Sequence, residues 1–116
     1  WEELAVMAER RWGAKACPVA PGRIFVFGGH NGKEALNSAE CLDLEEGCWQ
    51  SVPRMSWRRV RCNVATLCGH VYVCGGYDDK TLHSSVERFN PRLGTWEVLP
   101  QMSIARVGGC VASLTV

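Results

Sequence analysis

The chain has 116 residues, 47% hydrophobic and 22% charged, the size and make-up of one globular domain with a modest core. Thirteen Lys and Arg against twelve Asp and Glu leave a formal charge of +1, so no global field favours nucleic acid or an anionic membrane. No apolar run reaches the roughly 18 residues a membrane-spanning helix needs, and no signal-peptide pattern is present.

The first segment, "WEELAVMAERR", shows superficially helical spacing between Leu4 and Trp12. Its likeness to "WQSVPRMSWRR" and "WEVLPQMSIAR" argues against a helix, because those stretches carry Pro53 and Pro100. "GRIFVFGG" follows, a β-branched and aromatic run that is apolar at consecutive positions, as a strand buried on both faces is. "SAECLDL" alternates more clearly and runs into the turn Glu46-Gly47, after which a strand opens at Trp49. "VPRMS", a pair of arginines and the apolar run "VRCNVATLCG" come next. The series then begins again with "GHVYVCGG", "SVERFNP", the turn Leu93-Gly94, Trp96, "LPQMS" and "VGGCVASLTV".

The recurrence is locked to one offset. Gly28 to Gly75, Glu40 to Glu87, Gly47 to Gly94, Trp49 to Trp96, Met55 to Met102 and Arg59 to Arg106 are each 47 residues apart. Trp1 to Trp49 is 48, which predicts a one-residue insertion near Pro18 or Pro21. The repeat also removes a tempting alternative. "IFVFGGHNG" looks like a phosphate-cradling loop, but no Lys-Ser or Lys-Thr completes a P-loop, and "VYVCGGYDD" restates it without the third glycine. The chain opens at Trp1 rather than a methionine, as an excised piece of a longer protein would.

Four short strands per repeat, buried on both faces, predict an all-β fold of four-stranded antiparallel blades around an axis. Gly-Gly ending an apolar strand, "NSAE" or "SSVE" after it, Gly-x-Trp, Pro-x-Met and then Arg together resemble the kelch repeat of β-propellers. The phrases "LNSAE" and "MSWRR" are most similar to the kelch domains of BTB-kelch proteins. That resemblance implies an innermost strand after the Arg, the Gly-Gly strand second, the "SAE" strand third and the Trp strand outermost. It places an outer strand of a preceding blade at 1–6, one kelch blade at 13–53, a second at 60–100, and an inner strand of a following blade at 107–116. Two blades and two fragments cannot close a ring of four to eight, so the remaining blades or self-association are expected to cover the flanks.

The repeated residues are expected to be structural. Gly28, Gly29, Gly75 and Gly76 supply backbone room, and Trp49 and Trp96 supply packing surface between blades. Arg59 with Glu40, and Arg106 with Glu87, are expected to form buried charge pairs. Function is expected where the copies differ, in "HNGKEALN", "YDDKTLHS" and the connections "AERRWG", "SWRRVRC" and "SIARVGG". An antiparallel meander brings all of these to one end. The predicted ligand-binding face is Arg10, His30, Asn31, Trp57, Arg58, Arg61, Tyr77 and Asp78, with Lys33 and Arg11 beside it. Arg with Tyr and Trp is hot-spot chemistry, and the surplus arginine suggests an acidic or phosphorylated peptide, a reading that Asp78 and Asp79 oppose.

The resemblance implies a non-catalytic protein-binding module, the substrate-recognition domain of a cullin-type ubiquitin ligase adaptor, or alternatively an actin-binding or scaffold protein. A few kelch propellers are enzymes, but His30, His83, Tyr77 and Cys74 offer neither metal-ligand spacing nor a poised triad, so no cofactor and no metal are expected. Seven cysteines without a Cys-x-x-Cys pair fit the reduced thiols of a cytoplasmic protein. Cys62, Cys68 and Cys74 recur at six-residue intervals and raise the further possibility of thiol sensing, with burial the default expectation.

Overall fold

The computed structural model describes residues 6–19 and 21–101. The described residues contain eight strands and no helix. They are β1 (Lys15–Val19), β2 (Arg23–Phe27), β3 (Ala39–Asp43), β4 (Cys48–Val52), β5 (Asn63–Leu67), β6 (His70–Cys74), β7 (Val86–Asn90) and β8 (Thr95–Leu99). The chain is all-β, and the strands form two four-stranded antiparallel sheets in simple meander order, β1-β2-β3-β4 and β5-β6-β7-β8. The expected strand at 107–116, Arg106, and residues 1–5 of the expected strand at 1–6 lie outside the described residues.

Turn chemistry sets the register. Asp43 Oδ1 accepts from the amides of Glu45 and Glu46, and Gly47 closes the loop onto the Asp43 carbonyl at 2.7 Å. In the second sheet Asn90 does the same for Arg92 and Leu93, and Gly94 closes at 2.7 Å. Asp and Asn suit this position because their short side chains mimic a backbone acceptor. The β5–β6 hairpin has only Cys68 and Gly69 between its strands, with φ of 50° and 78°, the left-handed pair that matches sheet twist. The β1–β2 hairpin spans three residues, 20–22, and so contains the insertion that the offset of 48 foretold.

The core lies between the sheets. Side chains alternate across a strand, so Phe25 and Phe27 of β2 and Ala39 and Cys41 of β3 share one face of the first sheet. They meet Val71, Val73 and Phe89 of the second sheet, together with Met55 and Cys62. Ring contacts cross the boundary, Phe25 to Phe89 at 5.6 Å and Phe27 to Trp96 at 5.6 Å edge-on. Trp96 thus packs between the blades, and its Nε1 also donates to the Pro53 carbonyl at 2.8 Å. Gly28 is required where the blades touch: at φ 64°, a Cβ there would collide with the Arg59 carbonyl oxygen.

Candidate interaction face

The β2–β3 and β6–β7 connections and the entries to β1 and β5 do gather at one end of the sheets. Isolated bridges join Trp12 to His30 and His30 to Ala35 in the first blade, and Val60 to Tyr77 and Tyr77 to Leu82 in the second. Each connection is held by a side-chain-capped turn. Asn31 Oδ1 accepts from the amides of Lys33 at 2.8 Å and Glu34 at 3.0 Å. Asp78 Oδ1 accepts from Lys80 at 2.8 Å and Thr81 at 2.9 Å, and these amide bonds hold the Asp78 carboxyl down at about 2. Two candidate contact residues thus shape the loops that carry the others.

The two histidines of these loops are committed to aspartates. His83 Nε2 lies 2.9 Å from Asp78 Oδ2, and His30 Nε2 lies 3.2 Å from Asp79 Oδ1. His30 Nδ1 accepts from the Gly32 amide at 2.9 Å, which assigns the proton of the neutral ring to Nε2. Asp79 Oδ2 also accepts from the Ala35 amide at 2.8 Å. A residue of the second blade therefore clasps the loop of the first at two points. The exposed Trp12 ring stacks on His30 at 4.8 Å, and Trp57 lies 6.4 Å from His83.

The arginines divide into three kinds. Arg58 is half-exposed and already paired with Glu34 at 2.7 Å. Arg10 and Arg61 are exposed, and their side chains make no hydrogen bond or ion pair to a described residue. Arg11 and Arg59 belong to the interior, with side chains 1% and 0% exposed, so Arg11 leaves the candidate face.

The expected charge pairing is corrected. Arg59 binds Glu87 at 3.0 Å, not Glu40, whose partner is Arg11 at 2.8 Å. The backbone of Arg59 belongs to the first blade: its carbonyl accepts from Gly29 and its amide donates to the Leu36 carbonyl. Its side chain crosses into the second, donating to the Gly75 and Ser85 carbonyls and to Glu87. Glu87 in turn accepts from the Ser56 amide at 3.0 Å, so the pair stitches the connecting segment to the second blade. By repeat logic the mate of Glu87 is therefore Arg59 rather than Arg106, which lies outside the described residues.

Sequence reading missed Asp79 as a clasp and Trp12 and Leu82 as exposed apolar surface, with Leu82 54% exposed. Nothing in the repeat signalled Asp79, whose counterpart is Gly32. Of the three cysteines raised for thiol sensing, Cys62 and Cys74 are buried, and burial pushes the Cys62 thiol up to about 12. Cys68 is exposed, in the β5–β6 hairpin. Among the described residues no three His, Cys, Asp or Glu side chains converge as a metal site, and no helix is long and apolar enough to cross a membrane.

Comparison with known proteins agrees with this architecture. The family model described as the Kelch motif matches residues 11–56 and again 58–103. An F-box/kelch-repeat protein of Arabidopsis thaliana is 40% identical over 63 residues, covering 53% of this chain and 15% of the relative. Kelch-like protein 3 of Mus musculus is 36% identical over 53 residues, 46% of this chain and 9% of the relative. The chain thus spans a small part of the length of both relatives. Among solved structures, YjhT superposes with a TM-score of 0.78 at 16% identity, over 92% of this chain and 32% of that one. A fungal AA5-family alcohol oxidase in complex with copper superposes with a TM-score of 0.72 at 21% identity, over 83% and 23%. At those identities the two structures speak to the fold alone.

Proposed function

The chain belongs to the kelch-repeat family, and from that premise we propose that it is a non-catalytic protein-binding module, the substrate-recognition part of a cullin-type ubiquitin ligase adaptor. The observation that carries the binding reading is spatial. Residues in which the two copies differ, His30 and Tyr77, Asn31 and Asp78, Glu9 and Trp57, Gly13 and Arg61, come together at the end where bridges join the loops. A scaffold with agreeing strands and diverging loops fits recognition, because loops can vary without disturbing the packed sheets. The likeness to kelch-like protein 3 supports the adaptor reading. The other blades of a longer propeller cover the two flanks, and the ligand is a protein or peptide of acidic character that meets Arg10 and Arg61.

The face is tested by affinity capture of cellular proteins with the wild-type chain and with an Arg58→Ala/Arg61→Ala variant. Loss of specific partners from the variant is expected, and an unchanged set would refute the face. Within the parent protein, co-purification of a cullin is expected. Capture of actin without a cullin would replace the adaptor by a cytoskeletal scaffold.

A further inference from the structure

Of the four asparagines, Asn31 alone precedes a glycine; the others stand in Asn37-Ser38, Asn63-Val64 and Asn90-Pro91. The pairing has a chemical consequence. A backbone amide nitrogen can attack the carboxamide carbon of the residue before it and close a five-membered imide, and a glycine puts no side chain in the way. Beyond its chain neighbours, nothing lies within 4 Å of where a Cβ on Gly32 would stand. Gly32 is also exposed and Asn31 half-buried, so water reaches the pair.

The loop supplies each group that this attack needs. The Gly32 amide donates to His30 Nδ1 at 2.9 Å, so a neutral imidazole already holds the proton that the nucleophile must lose. From the other blade, Asp79 Oδ1 lies 3.2 Å from His30 Nε2, and the Trp12 ring stacks on the imidazole at 4.8 Å. The base is therefore oriented from two sides. Asn31 Oδ1, where negative charge develops when Cγ is attacked, accepts from the amides of Lys33 at 2.8 Å and Glu34 at 3.0 Å. Its Nδ2, the leaving group, has no hydrogen bond to a described residue. The second blade lacks this set, with Tyr77 for His30, Asp78 for Asn31 and Asp79 for Gly32.

We infer that Asn31 is a self-modifying site, deamidated by its own loop with water as the only co-reactant. His30 Nδ1 takes the Gly32 amide proton as that nitrogen bonds to Asn31 Cγ, and the Lys33 and Glu34 amides hold the oxyanion. The Cγ–Nδ2 bond then breaks, and His30 returns the proton to the nitrogen that departs as ammonia. Water opens the imide at either carbonyl. Opening at Cγ leaves aspartate at position 31, while opening at the main-chain carbonyl leaves isoaspartate and lengthens the backbone by a methylene. Aspartate there reproduces the capped turn of Asp78, which accepts the equivalent two amides, and adds a negative charge to the candidate face. Isoaspartate carries Oδ1 away from both amides and reshapes the loop.

The reaction is followed in the full chain at neutral pH by mass spectrometry of the peptide that carries position 31, which separates asparagine, aspartate and isoaspartate. Conversion in the folded chain is expected to run about threefold faster than in the same chain unfolded in urea. His30→Gln, which keeps an acceptor but no base, is expected to slow it about tenfold. The wild-type rate is expected to climb between about pH 5 and 8, as an imidazole loses its proton, and then to level off. Asp79→Asn, which acts only through the orientation of His30, is expected to keep the shape of that profile at about a third of its height. Slower conversion in the folded chain than in urea would show that the turn protects Asn31 and would overturn the site. A wild-type rate that goes on rising with hydroxide would remove His30 as the base, whether or not His30→Gln folds. Conversion of Asn37 in step with Asn31 would assign the reaction to unfolded chain and overturn it equally.

Discussion

The two blades build the same buried clasp from the same residues and satisfy it differently. In the first, Arg11 donates from Nε to Glu40, from Nη1 to the Gly28 and Ser38 carbonyls, and from Nη2 to Ser38 Oγ. Ser38 passes its own proton toward Glu9 at 3.3 Å. In the second, Arg59 Nη1 binds the matching Gly75 and Ser85 carbonyls and Nη2 binds Glu87, but Arg59 Nε and Ser85 Oγ have no partner. The cause lies one turn of chain away, where Glu9 of the first copy is Trp57 in the second. An indole cannot accept from Ser85; its ring stands 5.7 Å from the Arg59 guanidinium instead, a cation–π contact in place of a hydroxyl relay. A repeated Arg and Glu thus fix where a clasp is made, while an unrepeated neighbour fixes how well it is satisfied.

The largest expected effect breaks the clasps outright. Glu87→Ala leaves Arg59 uncompensated at a site with no exposure, and a loss of about 3–5 kcal/mol is expected in chemical denaturation. Glu40→Ala is expected to cost about 1–2 kcal/mol less, because Arg11 keeps two carbonyls and a hydroxyl. Equal losses would show that the hydroxyl relay does not distinguish the two sites.

A smaller effect isolates the neighbour. Trp57→Ala removes the ring from Arg59 and is expected to cost about 1–2 kcal/mol. Trp57→Glu installs the first copy's residue and is expected to cost less than Trp57→Ala, because it gives Ser85 Oγ an acceptor. If Trp57→Glu is the more damaging change, the difference between the clasps has another origin.

The clasps also show what a sequence can carry. Strand positions were legible because each of the two blades repeats its apolar runs and turn residues; Asp43 before Gly47 and Asn90 before Gly94 mark the same loop twice. The insertion was legible for the same reason. The partner of Arg59 was not, since an offset that carries Arg to Arg and Glu to Glu is satisfied equally by either neighbouring Glu. Only the backbone decides, by anchoring Arg59 to Gly29 and Leu36 while its side chain crosses the boundary. Asp79 was hidden differently. Its contacts with His30 and the Ala35 amide join two loops far apart in sequence, and no repeat position anticipates them because its counterpart is Gly32.

The smallest effect separates the two capped turns by charge. Asn31 and Asp78 hold equivalent loops with the same bonds to amides two and three residues on, but only Asp78 titrates. Its carboxyl sits at about 2 against an ordinary 3.8, chiefly through the Thr81 and Lys80 amides, with His83 adding to the effect. A depressed folded-state value means the contribution is complete above about pH 4 and is lost as pH falls toward 2. Amide exchange at Lys80 and Thr81, corrected for intrinsic rate, is therefore expected to accelerate over that window, while Lys33 and Glu34 keep their protection. Asp78→Asn should make the second loop behave like the first. Acceleration at all four amides would instead mean that acid loosens the whole face, through the Asp79 clasp that the two loops share.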